Sequence, residues 1–519
     1  MSATIAGIHA HDDRLGDFTE AGFAERDRFN DDWLARFQAY AENDLFPAER
    51  VDRALIVADL EGERALRPFL RWHRQPTLYS DAITRGAYYA FLREHAPLAE
   101  RVATLAERLA GAPAVIEAAK ANLDPDLVPP EWVDIALRTV PAGARFLREG
   151  ALALLPKATA LDRAAERAFR PAAAAAADAL DEYARWLAAL RPKARGSFAI
   201  GTTAVDAWLQ RRELLDHDAA TLRSWGEDFY RETEAELTEA AAAAGHGDWR
   251  EAVAALRDDH PSEDELVATY RSEMERSRLA VATAGLATVP YGEDLVVEAM
   301  PEFQRPTYPY AAYVGAGPFE SSRRGRFWVT LPDAGDDEKT RRERLEGHPR
   351  AGIAVIACHE GYPGHHLQLT VAADQSSLPR KSIRSNLMVE GWGLYVEELM
   401  TELGYLDSPA TKLLRLKDLL WRAARVAVDV GLATGEMTFD EAVSFMVDKP
   451  RLERPNAIAE VRRYTLTPLQ PSSYALGRAA ILALREKARA AGWGMRLFHD
   501  RLLGAGSLPP ALLERDLGL

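Results

Sequence analysis

Residues 359–366 of this chain read His-Glu-Gly-Tyr-Pro-Gly-His-His. Three of the chain's 12 histidines fall in this stretch, and a glutamate directly follows the first of them. Neutral imidazole is a suitable ligand for Zn²⁺, and a carboxylate beside the metal can take a proton from metal-bound water. The stretch is close to the His-Glu-x-x-His signature, but Pro363 stands where the second histidine would be. The pattern therefore favours a metal site with altered ligand spacing over a chance cluster.

The second histidine ligand is not fixed by spacing. The apolar run at residues 351–358 leads into His359, which predicts that this histidine ends a buried element. On a regular helix His366 would return to nearly the same face, about 20° off, whereas His365 would lie about 120° away. However, Pro-Gly inside a helix forces a kink or a bulge, so the regular count cannot be applied. The residues alone leave His365 and His366 as alternatives.

A third ligand is expected further along the chain, because catalytic zinc takes three protein ligands and keeps one position open. Residues 390–398 read Glu-Gly-Trp-Gly-Leu-Tyr-Val-Glu-Glu. Glu390 and Glu397 are seven positions apart, which places them on one helical face among apolar neighbours. Glu398 is expected to be solvated. Cys358, which precedes the motif, is expected to be a buried and inert thiol.

The composition indicates a globular protein of more than one lobe. The chain has 519 residues, of which 47% are hydrophobic and 28% charged, and it exceeds the size that one core usually serves. The net charge of −15 disfavours nucleic acid and anionic membranes as partners. A single cysteine excludes an intrachain disulfide. With no signal peptide visible and no apolar stretch long enough to cross a membrane, a cytoplasmic protein is expected.

Helices are predicted throughout the chain. Apolar residues recur at spacings of three and four between residues 222 and 237, and an alanine-rich helix is predicted from about residue 172, with Pro171 near its start. The best strand candidate is residues 326–331, which could align an extended peptide by main-chain pairing or be a simple structural edge strand. The stretch 191–201 is rich in Pro and Gly, and a domain boundary is placed there. The predicted units are an N-terminal helical lobe at 1–196 and a catalytic lobe at 197–519.

The combined motifs resemble the family catalogued as domain of unknown function 885, which is grouped with the zincin peptidases. The resemblance covers roughly residues 20 to 510. It rests on the two stretches quoted above and on further matches at residues 323–330, 422–429, 460–464 and 468–477. The chain departs from the pattern after Gly431, where members often carry a histidine and this chain has Leu432 and Ala433.

The resemblance implies a mainly α, two-lobed zincin-like fold with a deep central cleft and a small β element. Carried over residue by residue, it implies that His359, His365 and Glu390 are the zinc ligands, with His366 in reserve. It implies that Glu360 is the general base that activates the metal-bound water. Two residues in the matching segments, Tyr474 and Arg463, are candidates to stabilise the oxyanion, and Tyr464 is the next candidate.

Three functions remain open at this point. The leading hypothesis is a zinc-dependent metallopeptidase or amidohydrolase that cleaves a peptide or amide bond in a small peptide-like substrate. The second is the same metal scaffold used for other chemistry on a small metabolite. The third is a metal-free binding relative, which the presence of Glu360 argues against, because a binding protein has no need of the base. The natural substrate and the oligomeric state are not predicted.

Overall fold

Helices make up most of the chain in a computed structural model, which describes residues 1–155, 159–301, 305, 310–333 and 335–519, with residues 160 and 161 described by their backbone alone. Within these ranges there are 25 α-helices and three β-strands, which confirms the mainly α class with a small β element. The first ten helices are α1 Ser2–Ala6, α2 Glu20–Ala39, α3 Pro47–Leu66, α4 Arg71–Arg74, α5 Thr77–Leu92, α6 Leu98–Ala110, α7 Ala112–Asn122, α8 Pro130–Arg145, α9 Ala151–Ala153 and α10 Ala160–Leu190.

The remaining helices and the sheet lie between Thr202 and Leu517. The helices are α11 Thr202–Ala207, α12 Ala219–Ala243, α13 Trp249–Ala255, α14 Glu263–Ala284, α15 Glu338–Leu345, α16 Arg350–Glu360, α17 His365–Ala373, α18 Leu378–Ser382, α19 Asn386–Glu402, α20 Pro409–Thr434, α21 Phe439–Asp448, α22 Arg454–Leu466, α23 Ser473–Ala490, α24 Met495–Gly504 and α25 Pro510–Leu517. The strands are β1 Asp294–Ala299, β2 Ala311–Val314 and β3 Arg324–Val329.

The chain divides into two compact units. Unit 1 comprises Met1–Arg36, Glu63–Ala199 and Ala316–Ser321, and unit 2 comprises Phe37–Gly62, Ile200–Gly315 and Ser322–Leu519. The main change of unit, between Ala199 and Ile200, lies three residues beyond the expected boundary at 196/197. The expected domain limits remain a prediction, and every candidate site residue belongs to unit 2.

The alanine-rich helix begins well before its expected start. Helix α10 begins at Ala160, so Pro171 lies inside it. Thr159 and Asp162 form a reciprocal capping box, in which each side chain accepts a hydrogen bond from the backbone N–H of the other. Such a box satisfies two of the free N–H groups at a helix start. The cap, and not the proline, therefore sets the beginning of the helix.

The small sheet supports one side of the site. Its strand order is β1-β3-β2, with β1 parallel and β2 antiparallel to the central β3. The expected strand at residues 326–331 is confirmed as β3 with a shift of two residues, but its place at an edge is wrong, because it is paired on both sides. Phe327 and Val329 pack with Tyr270 of α14 and with Ile353 and Ala357 of α16. The sheet thus fixes one face of the helix that ends in the His-Glu motif.

The other face of α16 belongs to the largest core around the site. Val355 and Cys358 of α16 pack there with Trp392 and Tyr395 of α19. Trp392 and Tyr395 are fully buried, and burial of a large apolar side chain contributes roughly 1.5–3 kcal/mol. Helix α19 is apolar around most of its circumference, as expected for a helix enclosed by others. These contacts hold α16 and α19 side by side.

Candidate metal centre

The helix carrying the His-Glu motif breaks between its histidines. Helix α16 ends at Glu360 and α17 begins at His365, with a non-helical link at 361–364. A Cβ atom on Gly364 would lie 1.8 Å from the backbone oxygen of His359, so only glycine permits this close approach. The indole N–H of Trp392 donates a hydrogen bond of 2.8 Å to the backbone oxygen of Pro363 and secures the link. Regular helical counting therefore does not apply across the motif.

The break brings His359, Glu360 and His365 together. One potential ligand atom from each residue lies within 4.8 Å of the other two. The imidazole rings of His359 and His365 are 4.7 Å apart between centroids and nearly perpendicular, at 88°. Both histidines are buried, while Glu360 is partly exposed at the end of α16. This arrangement offers two imidazole nitrogens and a carboxylate to one small volume.

Glu397 orients His359. Its Oε1 lies 2.7 Å from Nδ1 of His359, and both side chains are buried. With Nδ1 bonded to a carboxylate, Nε2 is the nitrogen left for a metal, and a carboxylate behind a histidine ligand is the usual supporting contact in metal sites. Gly393, on the same helix, lies against the ring: a Cβ there would be 2.4 Å from Cε1 of His359. Helix α19 thus both supports and confines this imidazole.

Glu390 lies next to His365, one member of this group of three residues. Its Oε2 is 3.4 Å from Nε2 of His365, which matches the separation of two ligand atoms on a tetrahedral ion with bonds of about 2.0–2.1 Å. Burial lowers the pKa of His365, but Glu390 and Glu360 outweigh it and raise this pKa to about 9. Burial raises the pKa of Glu390, but His365 outweighs it and lowers this pKa to about 2. The carboxylates therefore make this position favourable for a positive charge.

The reserve ligand, His366, is turned away from the group. Its side chain is fully buried, with Nε2 at 2.8 Å from Glu293 Oε2 and Nδ1 at 3.1 Å from the hydroxyl of Tyr313. Glu293 also forms an ion pair with Arg278 and accepts a hydrogen bond from Tyr362. Both ring nitrogens of His366 are thus engaged in a separate polar cluster. Of the two alternatives that spacing left open, the geometry favours His365.

The two candidate oxyanion residues lie close enough to Glu390 to interact with it electrostatically. Gln470 connects them: its Nε2 donates to Glu390 Oε1 at 3.2 Å, and its Oε1 accepts from Arg463 Nη1 at 2.7 Å. Burial, followed by the charge of Glu390, raises the pKa of Tyr474, and a hydrogen bond with Gln470 opposes this shift. Tyr464 instead accepts a hydrogen bond from Arg425 at 2.9 Å. Arg463 and Tyr474 are therefore placed beside the ligand set.

Some residues of the site were not singled out by sequence reasoning. Glu293 and Gln470 lie far from the motif in the chain and carry no spacing that marks them. Glu397 did carry a signal, its seven-residue spacing from Glu390, but no role was assigned to it. Cys358 is buried as expected, and burial raises the pKa of its thiol well above the usual value.

Comparison with known proteins identifies the family. The family model for the bacterial protein of unknown function DUF885 matches residues 1–517, and the chain belongs to this family. Two solved structures share the fold. A candidate lipoprotein of unknown function from Shewanella oneidensis is 23% identical, with a TM-score of 0.79, and the match covers 100% of this chain and 96% of that one. A candidate lipoprotein from Colwellia psychrerythraea is 19% identical, with a TM-score of 0.81 and coverage of 100% and 95%. No curated protein matches the chain.

The comparisons establish the family and the fold, and they leave the chemistry open. Among the described residues, no helix combines the length and the apolarity that a membrane span requires. The cytoplasmic location remains a prediction.

Proposed function

We propose that this protein is a zinc-dependent hydrolase that cleaves a peptide or amide bond in a small peptide-like substrate. The observation that carries the proposal is the convergence of His359, Glu360 and His365, with Glu390 beside His365. His359 and His365, together with the carboxylate of Glu390 beside His365, make a donor set of two imidazoles and one carboxylate, which catalytic zinc commonly takes. The zincin-like two-lobed cleft expected from the resemblance is part of the same proposal.

The donor atoms of these residues, imidazole nitrogens and carboxylate oxygens, are of the kinds that bind zinc. His359 is held by Glu397 so that Nε2 is the available nitrogen, and His365 lies where carboxylates favour a positive charge. His365 would release its proton on binding a divalent cation. His359, His365 and Glu390 would hold the ion. When bound, zinc polarises a carbonyl group and lowers the pKa of water.

The remaining residues would supply proton transfer and charge stabilisation. Glu360 would take a proton from the attacking water and pass it to the leaving amine. Arg463 and Tyr474 would stabilise the negative charge that develops on the carbonyl oxygen, since preorganised donors are most effective in a site that excludes water. Gln470 would position both of them relative to Glu390. The reaction proposed for the site is therefore amide hydrolysis by general base catalysis.

The Glu360→Gln variant tests this proposal. Gln keeps the shape of the side chain but cannot accept the proton, so we expect hydrolysis to fall by about 100-fold or more while the zinc content stays unchanged. Glu398→Gln, at a carboxylate that pairs with Arg478 and not with the site, is the matched control and should remain active. The assay is hydrolysis of a panel of dipeptides and N-acyl amino acids by zinc-loaded protein. Full activity in the Glu360 variant, or no cleavage of any amide by the wild type, would overturn the proposal.

A further inference from the structure

A group of cationic side chains lies on α20 and α22, outside the proposed ligand set. Two carboxylates are each shared by two cations: Asp418 lies within 3.5 Å of Lys417 and Arg422, and Glu460 lies within 3.1 Å of Arg425 and Arg463. Four positive charges thus meet two negative ones. We call Lys417, Trp421, Arg422 and Arg425 the α20 cation cluster.

This cluster has buried donors without acceptors. In the part of the chain that the structure describes, Nε1 of Trp421, Nε of Arg422 and Nη1 of Arg425 are buried and have no hydrogen-bond partner. A buried donor without an acceptor costs roughly 1–3 kcal/mol, so native proteins seldom leave three of them within five residues. All three atoms can only donate. The group that would satisfy them is an acceptor, and the excess of positive charge selects an anion.

Arg425 is the fixed centre of the cluster. It is 4% exposed, and its Nε and Nη2 are engaged by Tyr464 at 2.9 Å and by Glu460 at 3.1 Å. Its guanidinium carbon lies 4.4 Å from the ring centroid of Trp421 and 4.7 Å from that of Tyr474. The orientation is therefore set before any ligand arrives, which reduces the entropy lost on binding.

The cluster is adjacent to the proposed metal centre through two residues. Tyr474 contacts Arg425 and is also close enough to Glu390 for the carboxylate to raise its pKa, after the larger effect of burial. Arg463 shares Glu460 with Arg425 and is bonded to Gln470, which in turn donates to Glu390. Tyr474, Arg463 and Gln470 thus link the cluster to Glu390.

We propose that the α20 cation cluster binds the C-terminal carboxylate of the substrate, so that the substrates are short peptides or N-acyl amino acids with a free C-terminus. The planar guanidinium of Arg425 suits a planar carboxylate, and the indole N–H of Trp421 supplies a neutral donor next to it. This inference rests on the proposed hydrolase function and narrows its substrate class. An acidic side chain of the substrate also carries a carboxylate. The experiments below distinguish a C-terminal carboxylate from a side-chain carboxylate.

The first test needs no variant. Zinc-loaded wild-type protein is assayed with N-acyl dipeptides as free acids and as the matching C-terminal amides, and with amides that carry an internal Asp or Glu. We expect kcat/KM for the free acid to exceed that for the plain amide by about 100-fold, the scale of a buried charged pair. Equal rates for acid and amide would overturn the inference and leave the hydrolase proposal intact. Rescue of the amide by an internal acidic residue would assign the cluster to a side chain and overturn the C-terminal assignment.

The second test measures binding without turnover. The affinity of zinc-loaded Glu360→Gln protein for each peptide is measured by titration calorimetry. We expect this protein to bind the free acid and to bind the amide about 100-fold more weakly. If the acid binds selectively but the wild type cleaves nothing, the carboxylate site stands and the hydrolase proposal fails. If the free acid and the amide bind with equal affinity, or if neither binds, the assignment of the cluster as a carboxylate site is wrong.

Variants then locate the site. Arg425→Met should abolish the preference for the acid, and Arg489→Met, at an exposed arginine, is the matched control that should keep it. Because Arg425 also bonds Tyr464 and Glu460, a milder variant guards against misfolding. Trp421→Phe removes the indole N–H together with one ring but keeps an aromatic face beside Arg425, and it should reduce the acid-to-amide ratio by about tenfold. An unchanged ratio in a folded Arg425→Met or in Trp421→Phe would contradict the assignment.

Discussion

Replacing Glu397 should weaken zinc binding although Glu397 is not itself a proposed ligand. Its Oε1 lies 2.7 Å from Nδ1 of His359, and the exposed fractions of the two residues are 2% and 6%. Supporting carboxylates of this kind are worth 10- to 100-fold in metal affinity, or about 1.4–2.8 kcal/mol. Glu397→Ala removes the acceptor and should lose about 100-fold. Glu397→Gln keeps an acceptor without the charge and should lose about tenfold.

The assay is competition for zinc against a chromophoric chelator, at constant pH and ionic strength. Glu398→Ala, one residue further on, is the matched control, because Glu398 pairs with Arg478 away from the centre. Its zinc affinity should stay within a factor of about two. The reasoning is refuted if Glu397→Ala binds zinc as tightly as the wild type, or if Glu398→Ala weakens binding to the same extent.

Three other variants probe the centre and its surroundings. Gly393→Ala would place a Cβ 2.4 Å from the His359 ring, so we expect zinc affinity to fall at least about tenfold. The control is Gly494→Ala, where the added Cβ meets open space, and its zinc affinity should not change in the same titration. His366→Ala should retain zinc but lower the free energy of unfolding by about 1–3 kcal/mol, measured by urea denaturation, because it leaves Glu293 with one partner fewer; loss of zinc would transfer the ligand role to His366. Burial lowers the pKa of His499 to about 4 from a usual 6.5. As the pH falls, the unfolded chain therefore takes up this proton before the folded protein does. The free energy of unfolding should be at its full value above pH 6.5 and should fall by up to about 3 kcal/mol as the pH drops to 4. His499→Gln should remove this share of the pH dependence, and an unchanged slope would contradict the assignment.

Helix content and the position of the His-Glu motif could be predicted from the sequence because both are local patterns. The stripe at residues 222–237 lies within α12, and the Glu390–Glu397 spacing lies on α19 as expected. The start of α10 was missed because a capping box at Thr159 overrides the usual preference of proline for the first turn.

The choice between His365 and His366 could not be predicted from spacing and came only from the family resemblance, because it depends on four non-helical residues whose path is set by tertiary contacts. Trp392 holds the carbonyl of Pro363, and Gly364 permits the approach to His359. The partners of His366 come from two other segments, at Glu293 and Tyr313. Neither segment carries a pattern that marks it. Spacing therefore located the centre but could not assign its ligands.

The central claim is tested most directly by an anomalous-scattering map at the zinc edge, from crystals of protein purified without chelator. We expect a single peak about 2.0–2.1 Å from nitrogens of His359 and His365 and about 2.0–2.2 Å from an oxygen of Glu390. A peak beside His366 and Glu293, or crystals of active protein with no peak near His359, would contradict it.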